Sequence, residues 1–152
     1  EYQYPIIIHR YGLMTDSGGA GKLRGGSGTH WEVEPLHDPM TVVMFGEGRR
    51  YPAQGAQGAT STVCEPKVGR ALYYKEDGEV EEIKTNSIVE IAPGERFANQ
   101  NPGGGGVGNP RERDVDRVLD DVKNGFVSVQ AAWEEYGVRV DDEVHKKLVV
   151  GK

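Results

Sequence analysis

Apolar and polar positions divide this chain into two stretches with different periods. Up to about residue 101 the apolar residues alternate with polar ones or gather in short runs, the two signatures of strands. "EYQYPIIIHRYGLM" is rich in Ile and Tyr and predicts one or two strands over residues 4–13. "GTHWEVEPL" alternates, with Trp31 and Val33 toward a core and Glu32 and Glu34 away from it, which predicts a half-buried strand. "MTVVMFG" is an unbroken apolar run, short enough to predict a strand covered on both faces. "RALYYKEDGEVEEI" sets Asp77-Gly78 between two strand-like runs, the pattern of a tight hairpin. "SIVEIAPGERFAN" predicts a second pair of strands around Pro93-Gly94.

After Pro110 the period lengthens. Val115, Val118, Leu119 and Val122 recur at helical spacing, with Gly125 as the stop. "SVQAAWEEYG" predicts a second short helix, capped by Ser128, facing Ala132 and Trp133 inward and ending at Gly137. The tail that follows carries no clear period. The expected architecture is mainly β (α+β). A glycine-rich β domain over residues 1–108 leads into a helical hairpin and tail over residues 109–152, docked on that domain or on a partner.

Composition thins this picture. The 152 residues include 22 glycines and 8 prolines, and 36% are hydrophobic. Glycine packs little and loses much backbone entropy on folding, so the core is small for the length and support from a partner is expected. The net charge of −6 argues against binding along a nucleic-acid backbone, which needs a basic surface. The one dense basic pair, Arg49-Arg50, is too small for such a track and suits a partner carboxylate or a surface ion pair. No apolar run approaches the roughly 20 residues of a membrane span. No signal-peptide pattern opens the sequence. The single cysteine, Cys64, excludes an internal disulfide and reads as a lone thiol in a reducing, cytoplasmic setting.

Two glycine clusters imitate nucleotide-binding loops. In "DSGGAGKLRGGSG", five further glycines surround Gly21-Lys22. Aligned as a P-loop, the stretch puts Asp16 at the first glycine and Leu23 at the magnesium-binding hydroxyl, and no helix pattern follows. "GGGGVG" fits the dinucleotide fingerprint in form, but Asn109-Pro110 intervenes before a helix begins. Glycine is better read here as geometry: Gly18, Gly19, Gly25 and Gly26 as turn residues, and Gly103, Gly104, Gly105 and Gly106 for close backbone approach to a neighbouring chain or a reaction chamber. An exposed nest of amides that receives an anion stays open as a second reading. His9, His30, His37 and His145 show no metal-ligand spacing, and no serine or cysteine occupies a nucleophile elbow. The residues carry no complete active site and no metal site.

Five blocks in order, "YPIIIHRYGLMTDSGGAGKLRGGSG", "GRRYP", "IAPGERF", "NPGGGGVGNPRERD" and "VKNGFVSVQAAWEEYGV", resemble the carboxyl-terminal part of the hydantoinase B family. That family includes the B subunits of ATP-dependent hydantoinases, the corresponding half of 5-oxoprolinase, and the large subunits of acetone and acetophenone carboxylases. Val107 and Asn109 depart from the "GGGGYGDP" the family often shows. The resemblance implies a small, largely structural subunit of an ATP-dependent ketone carboxylase complex, joining bicarbonate to an aryl ketone. It implies docking on a larger hydantoinase B-like subunit beside a kinase-type hydantoinase A-like subunit, in a hetero-oligomer whose other parts hold ATP and a divalent metal. The alternatives are a subunit of an ATP-dependent hydantoinase, oxoprolinase or lactamase complex, and an independent anion-binding β module.

Overall fold

The computed structural model describes residues 4–46, 51–60 and 69–140. Arg49, Arg50, Cys64, His145 and the tail beyond Val140 lie outside the described residues. Among the described residues there are seven strands, two short α-helices and a 3-10 turn (Pro110–Glu112): β1 (Ile6–Leu13), β2 (Thr29–Pro35), β3 (Met40–Met44), β4 (Ala71–Tyr74), β5 (Val80–Glu82), β6 (Ser87–Ile91), β7 (Arg96–Gln100), α1 (Val115–Lys123) and α2 (Val129–Glu134). The mainly β architecture with a helical end is the one the two periods predict.

The strands form an antiparallel five-stranded sheet in the order β1-β2-β7-β4-β5 and a separate antiparallel ribbon of β3 and β6. Alternation places Val33 of β2 and Phe97 of β7 on one face of the sheet, where they meet the ribbon's Ile91, Met40, Val42 and Met44. Phe97, Ile91 and Ala71 are fully buried there. Trp31 meets Phe97 edge to face, 5.2 Å between centroids, an arrangement that suits the ring quadrupoles. On the opposite face Glu32 pairs with Arg96 at 2.5 Å and Glu34 with His9 at 2.7 Å. The outward glutamates of the sequence pattern are therefore half-covered by partners.

Two strand expectations change. The run "MTVVMFG" makes a strand covered on one face: β3 lies in a two-stranded ribbon whose outer side no element among the described residues covers, so Val43 is 57% and Phe45 80% exposed. The Pro93-Gly94 turn forms as expected, with Gly94 at φ +88° and the Glu95 amide donating to the Ala92 carbonyl at 3.0 Å. Yet its two strands do not pair. β6 joins β3 while β7 enters the large sheet, so this turn carries the chain from one layer to the other. The Asp77-Gly78 hairpin stands as read, with Gly78 at φ +87° and β4 paired to β5. Its charged edge is shielded by Lys75 on Glu79 and Glu81 and by Arg70 on Glu82.

The helices build a second core. Asp114 and Ser128 accept hydrogen bonds from the first-turn amides of Arg117 and Ala131, and Gly125 and Gly137 leave the helices at positive φ. Val118, Val122, Ala132 and Tyr136 pack together and onto Ala20 of the first glycine loop. Trp133, expected inward, is 58% exposed. The buried positions here are spaced by four, Ala132 in α2 and Tyr136 just past its end, and Trp133 stands a hundred degrees round the axis from Ala132. Leu119 is half-buried against the same core.

Candidate functional site

The two glycine loops cross each other at the junction of the sheet and the helices. Residues 16–28 leave β1 and return into β2, and residues 101–108 leave β7 for α1. The Gly19 amide donates to the Gly104 carbonyl at 2.8 Å, and the Gly104 amide to the Gly26 carbonyl at 2.9 Å. Leu23 and Val107 exchange amide–carbonyl bonds of 2.9 and 2.8 Å, a one-rung antiparallel bridge. A third segment joins them: the Ala56 amide donates to Gly106 at 3.0 Å and the Gly108 amide to Ala56 at 2.9 Å.

Three main chains meet so closely that side chains are excluded. A Cβ on Gly25 would overlap the Gly104 carbonyl, one on Gly105 would overlap the Gln54 carbonyl, and one on Gly103 the Ser17 carbonyl. Gly106 is pressed between the Gly19 and Ala20 carbonyls, while Gly104 has room for an ordinary contact. Gly103, Gly104, Gly105 and Gly106 thus approach main chain of their own polypeptide. Gly18, Gly19 and Gly25 serve the same purpose; none of the three has a positive φ, and Gly26 faces open space. The amides of Gly19, Lys22, Leu23, Gly25 and Gly28 are all bonded to acceptors of this chain. They do not form an open cradle.

Buried charge fastens the crossing to α1. Asp121 Oδ2 accepts from Arg24 Nε at 3.2 Å and from Arg113 Nη2 at 2.8 Å, with all three side chains at most 14% exposed. Arg24 Nη1 also donates to the Gly25 carbonyl and to Ser27 Oγ, and its guanidinium lies 5.2 Å from the Phe126 ring centroid. Arg113 Nη1 donates to the Lys22 carbonyl at 3.1 Å. One carboxylate thus joins two guanidiniums that hold opposite sides of the first loop. Sequence reasoning missed this trio: Arg24 and Asp121 stand 97 residues apart, and although Arg24 and Arg113 lie in two of the quoted blocks, nothing in either block points to Asp121 as their shared partner. Lys22, the would-be phosphate lysine, is exposed and pairs with Glu112 at 3.4 Å.

Beside the crossing, an open cleft of about 320 Å³ separates the ribbon from the end of the sheet. Trp31, Phe97, Met44 and Phe45 give it apolar walls, and Asn99 and Asn101 place amides on its rim. On the sheet's far face, His30 is 8% exposed and its Nε2 has no hydrogen-bond partner among the described residues. Burial, helped by the charge of Arg10, pulls its pKa below the ordinary imidazole range, so the ring is neutral at pH 7. Next to the Pro93-Gly94 turn, Tyr73 donates to Glu95 at 2.5 Å. That bond pushes the phenol up to about 12 and holds the Glu95 carboxyl below its ordinary value. Among the described residues no group of three His, Cys, Asp or Glu is placed to hold a metal ion, and no helix is long and apolar enough to cross a membrane. What the site offers is a rigid, main-chain-built platform flanked by an apolar cleft.

Known proteins share this platform. A protein named caprolactamase subunit beta, from Pseudomonas jessenii, is 55% identical over 93% of this chain, which spans 24% of that subunit. The crystal structure of the ATP-dependent caprolactamase from the same organism superimposes with a TM-score of 0.74 at 45% identity, over 97% of this chain and 27% of that one. An acetone carboxylase in its nucleotide-free form shares the fold, with a TM-score of 0.66 at 20% identity, over 96% of this chain and 24% of that one. The sequence model of the hydantoinase B/oxoprolinase family matches residues 1–110, both glycine loops and every strand included. The chain therefore belongs to the hydantoinase B/oxoprolinase family.

Proposed function

We propose that this chain acts within the B-type component of an ATP-dependent complex that opens a cyclic amide. It supplies the platform on which a reaction chamber is assembled rather than the reacting groups. The observation that carries this reading is the 55% identity, over 93% of the chain, to the beta subunit of a caprolactamase. The expected aryl-ketone carboxylation is replaced as the leading reading, because the likeness to an acetone carboxylase rests on 20% identity and speaks for the fold alone.

On this reading the partners are the remainder of a B-type subunit and a kinase-type A subunit. ATP and a divalent metal belong to those portions. The described residues of this chain do not fit a metal site, since they bring no three ligating side chains together. The Arg24–Asp121–Arg113 cluster holds the glycine crossing rigid, and a rigid support is what positions groups on a neighbouring element within the tolerance that catalysis requires.

The test is ATP hydrolysis by the assembled complex. Caprolactam, hydantoin and 5-oxoproline are compared with acetophenone plus bicarbonate. Stimulation by a cyclic amide without bicarbonate is the expected result. Hydrolysis that needs both bicarbonate and the aryl ketone would overturn the proposal.

A further inference from the structure

The β3–β6 ribbon is uncovered on one side in a way its chemistry does not suit. Its inner face, Met40, Val42, Met44, Val89 and Ile91, packs on the large sheet. On the outer face Val43 and Ile88 stand directly opposite each other, 57% and 72% exposed, and Phe45 follows at 80%. A half-covered antiparallel strand pair ordinarily turns polar residues to water, as Thr41 and Glu90 do here. The apolar outer face is continuous with the cleft, since Val43 and Phe45 line its mouth while Trp31 and Phe97 line its interior. Aromatic residues, methionine and scarce charge are the composition of an interface centre.

We propose that the outer face of Val43, Phe45 and Ile88, with the cleft behind it, seats the remainder of a hydantoinase B-type polypeptide. The occupant follows from the lengths. This chain matches 24% of the caprolactamase beta subunit, so about three-quarters of such a polypeptide folds elsewhere and must meet this segment somewhere. In a chain of net charge −6, this apolar face is the surface suited to a neutral, apolar counterpart. Asn99 and Asn101 line the cleft, bonded to each other and to Thr29, and each primary amide keeps a second N–H to offer the main chain of an entering segment. The proposal rests on family membership and not on the substrate class.

The experiment co-produces this chain with the Pseudomonas jessenii caprolactamase beta subunit from which the matching segment has been removed. A stoichiometric complex is expected. Phe45→Asp and Ile88→Asp should each weaken it at least tenfold. Val80→Asp, on the far edge strand and 52% exposed, should not. Because all three positions are exposed, unchanged melting curves will confirm that each variant folds. Hydrogen exchange in the complex should slow across residues 42–46 and 87–91. Failure to form a complex, equal binding by all variants, or a homodimer dissolved by Phe45→Asp would overturn the proposal. A complex that assembles and, once completed with the kinase-type subunit, leaves caprolactam untouched would cost the substrate reading and leave this one standing.

Discussion

At Gly25 a single methyl group decides whether two loops can cross. The Gly104 carbonyl occupies the place where a Cβ would stand, and neither main chain can move without breaking the Gly19–Gly104 and Gly104–Gly26 hydrogen bonds. Gly25→Ala should therefore destabilise the fold by roughly 3 kcal/mol or more, as overpacking against fixed backbone does. Gly26→Ala, with no atom within 4 Å of the new carbon, should change stability by less than about 0.5 kcal/mol. Urea unfolding of the two variants checks the pair. His30 gives a second residue-level prediction. Its depressed pKa means that the unfolded chain takes up a proton first as pH falls below 6.5. Stability is thus full above that value and lost as pH drops through the folded pKa. The urea midpoint should fall between pH 7 and pH 5.5, and His30→Leu should flatten that limb.

Among the elements, α1 is tied to the first glycine loop through one carboxylate. Replacing Asp121 by Ala leaves two nearly buried guanidiniums, Arg24 and Arg113, without their counter-charge. Loss of about 3–5 kcal/mol is expected, measured by thermal or denaturant unfolding. The elements also show how far sequence carries. The Asp77-Gly78 hairpin and both helix caps were legible because turn and cap chemistry is local. Strand partners were not: the Pro93-Gly94 turn looks like a hairpin, but whether its arms pair depends on β3 and β2, more than forty residues earlier in the chain. β3 was misread as doubly covered because an unbroken apolar run cannot distinguish a buried strand from one awaiting a partner. Trp133 was placed inward by hydrophobicity alone, against the spacing that puts Tyr136 in the core. The glycines announced a close approach, and their count could not say that the approach is to this chain's own loops.

As a whole molecule, the chain is two small cores joined by a crossing of main chains, with an apolar ribbon face and cleft to one side. Its described residues bring no three metal-ligating side chains together, and in the loop that imitates a P-loop the amides of Gly19, Ala20, Lys22, Leu23, Gly25 and Gly28 are engaged internally. The structure thus contributes shape, and on the proposed reading that shape serves an ATP-dependent complex whose other parts are larger. The most direct test is the rate of caprolactam-stimulated ATP hydrolysis by the assembled complex carrying Lys22→Ala or Gly25→Ala in this chain. The account predicts a near wild-type rate for Lys22→Ala and a collapsed rate, with loss of assembly, for Gly25→Ala. An assembled complex silenced by Lys22→Ala would show that the lysine grips a phosphate, and would contradict the account.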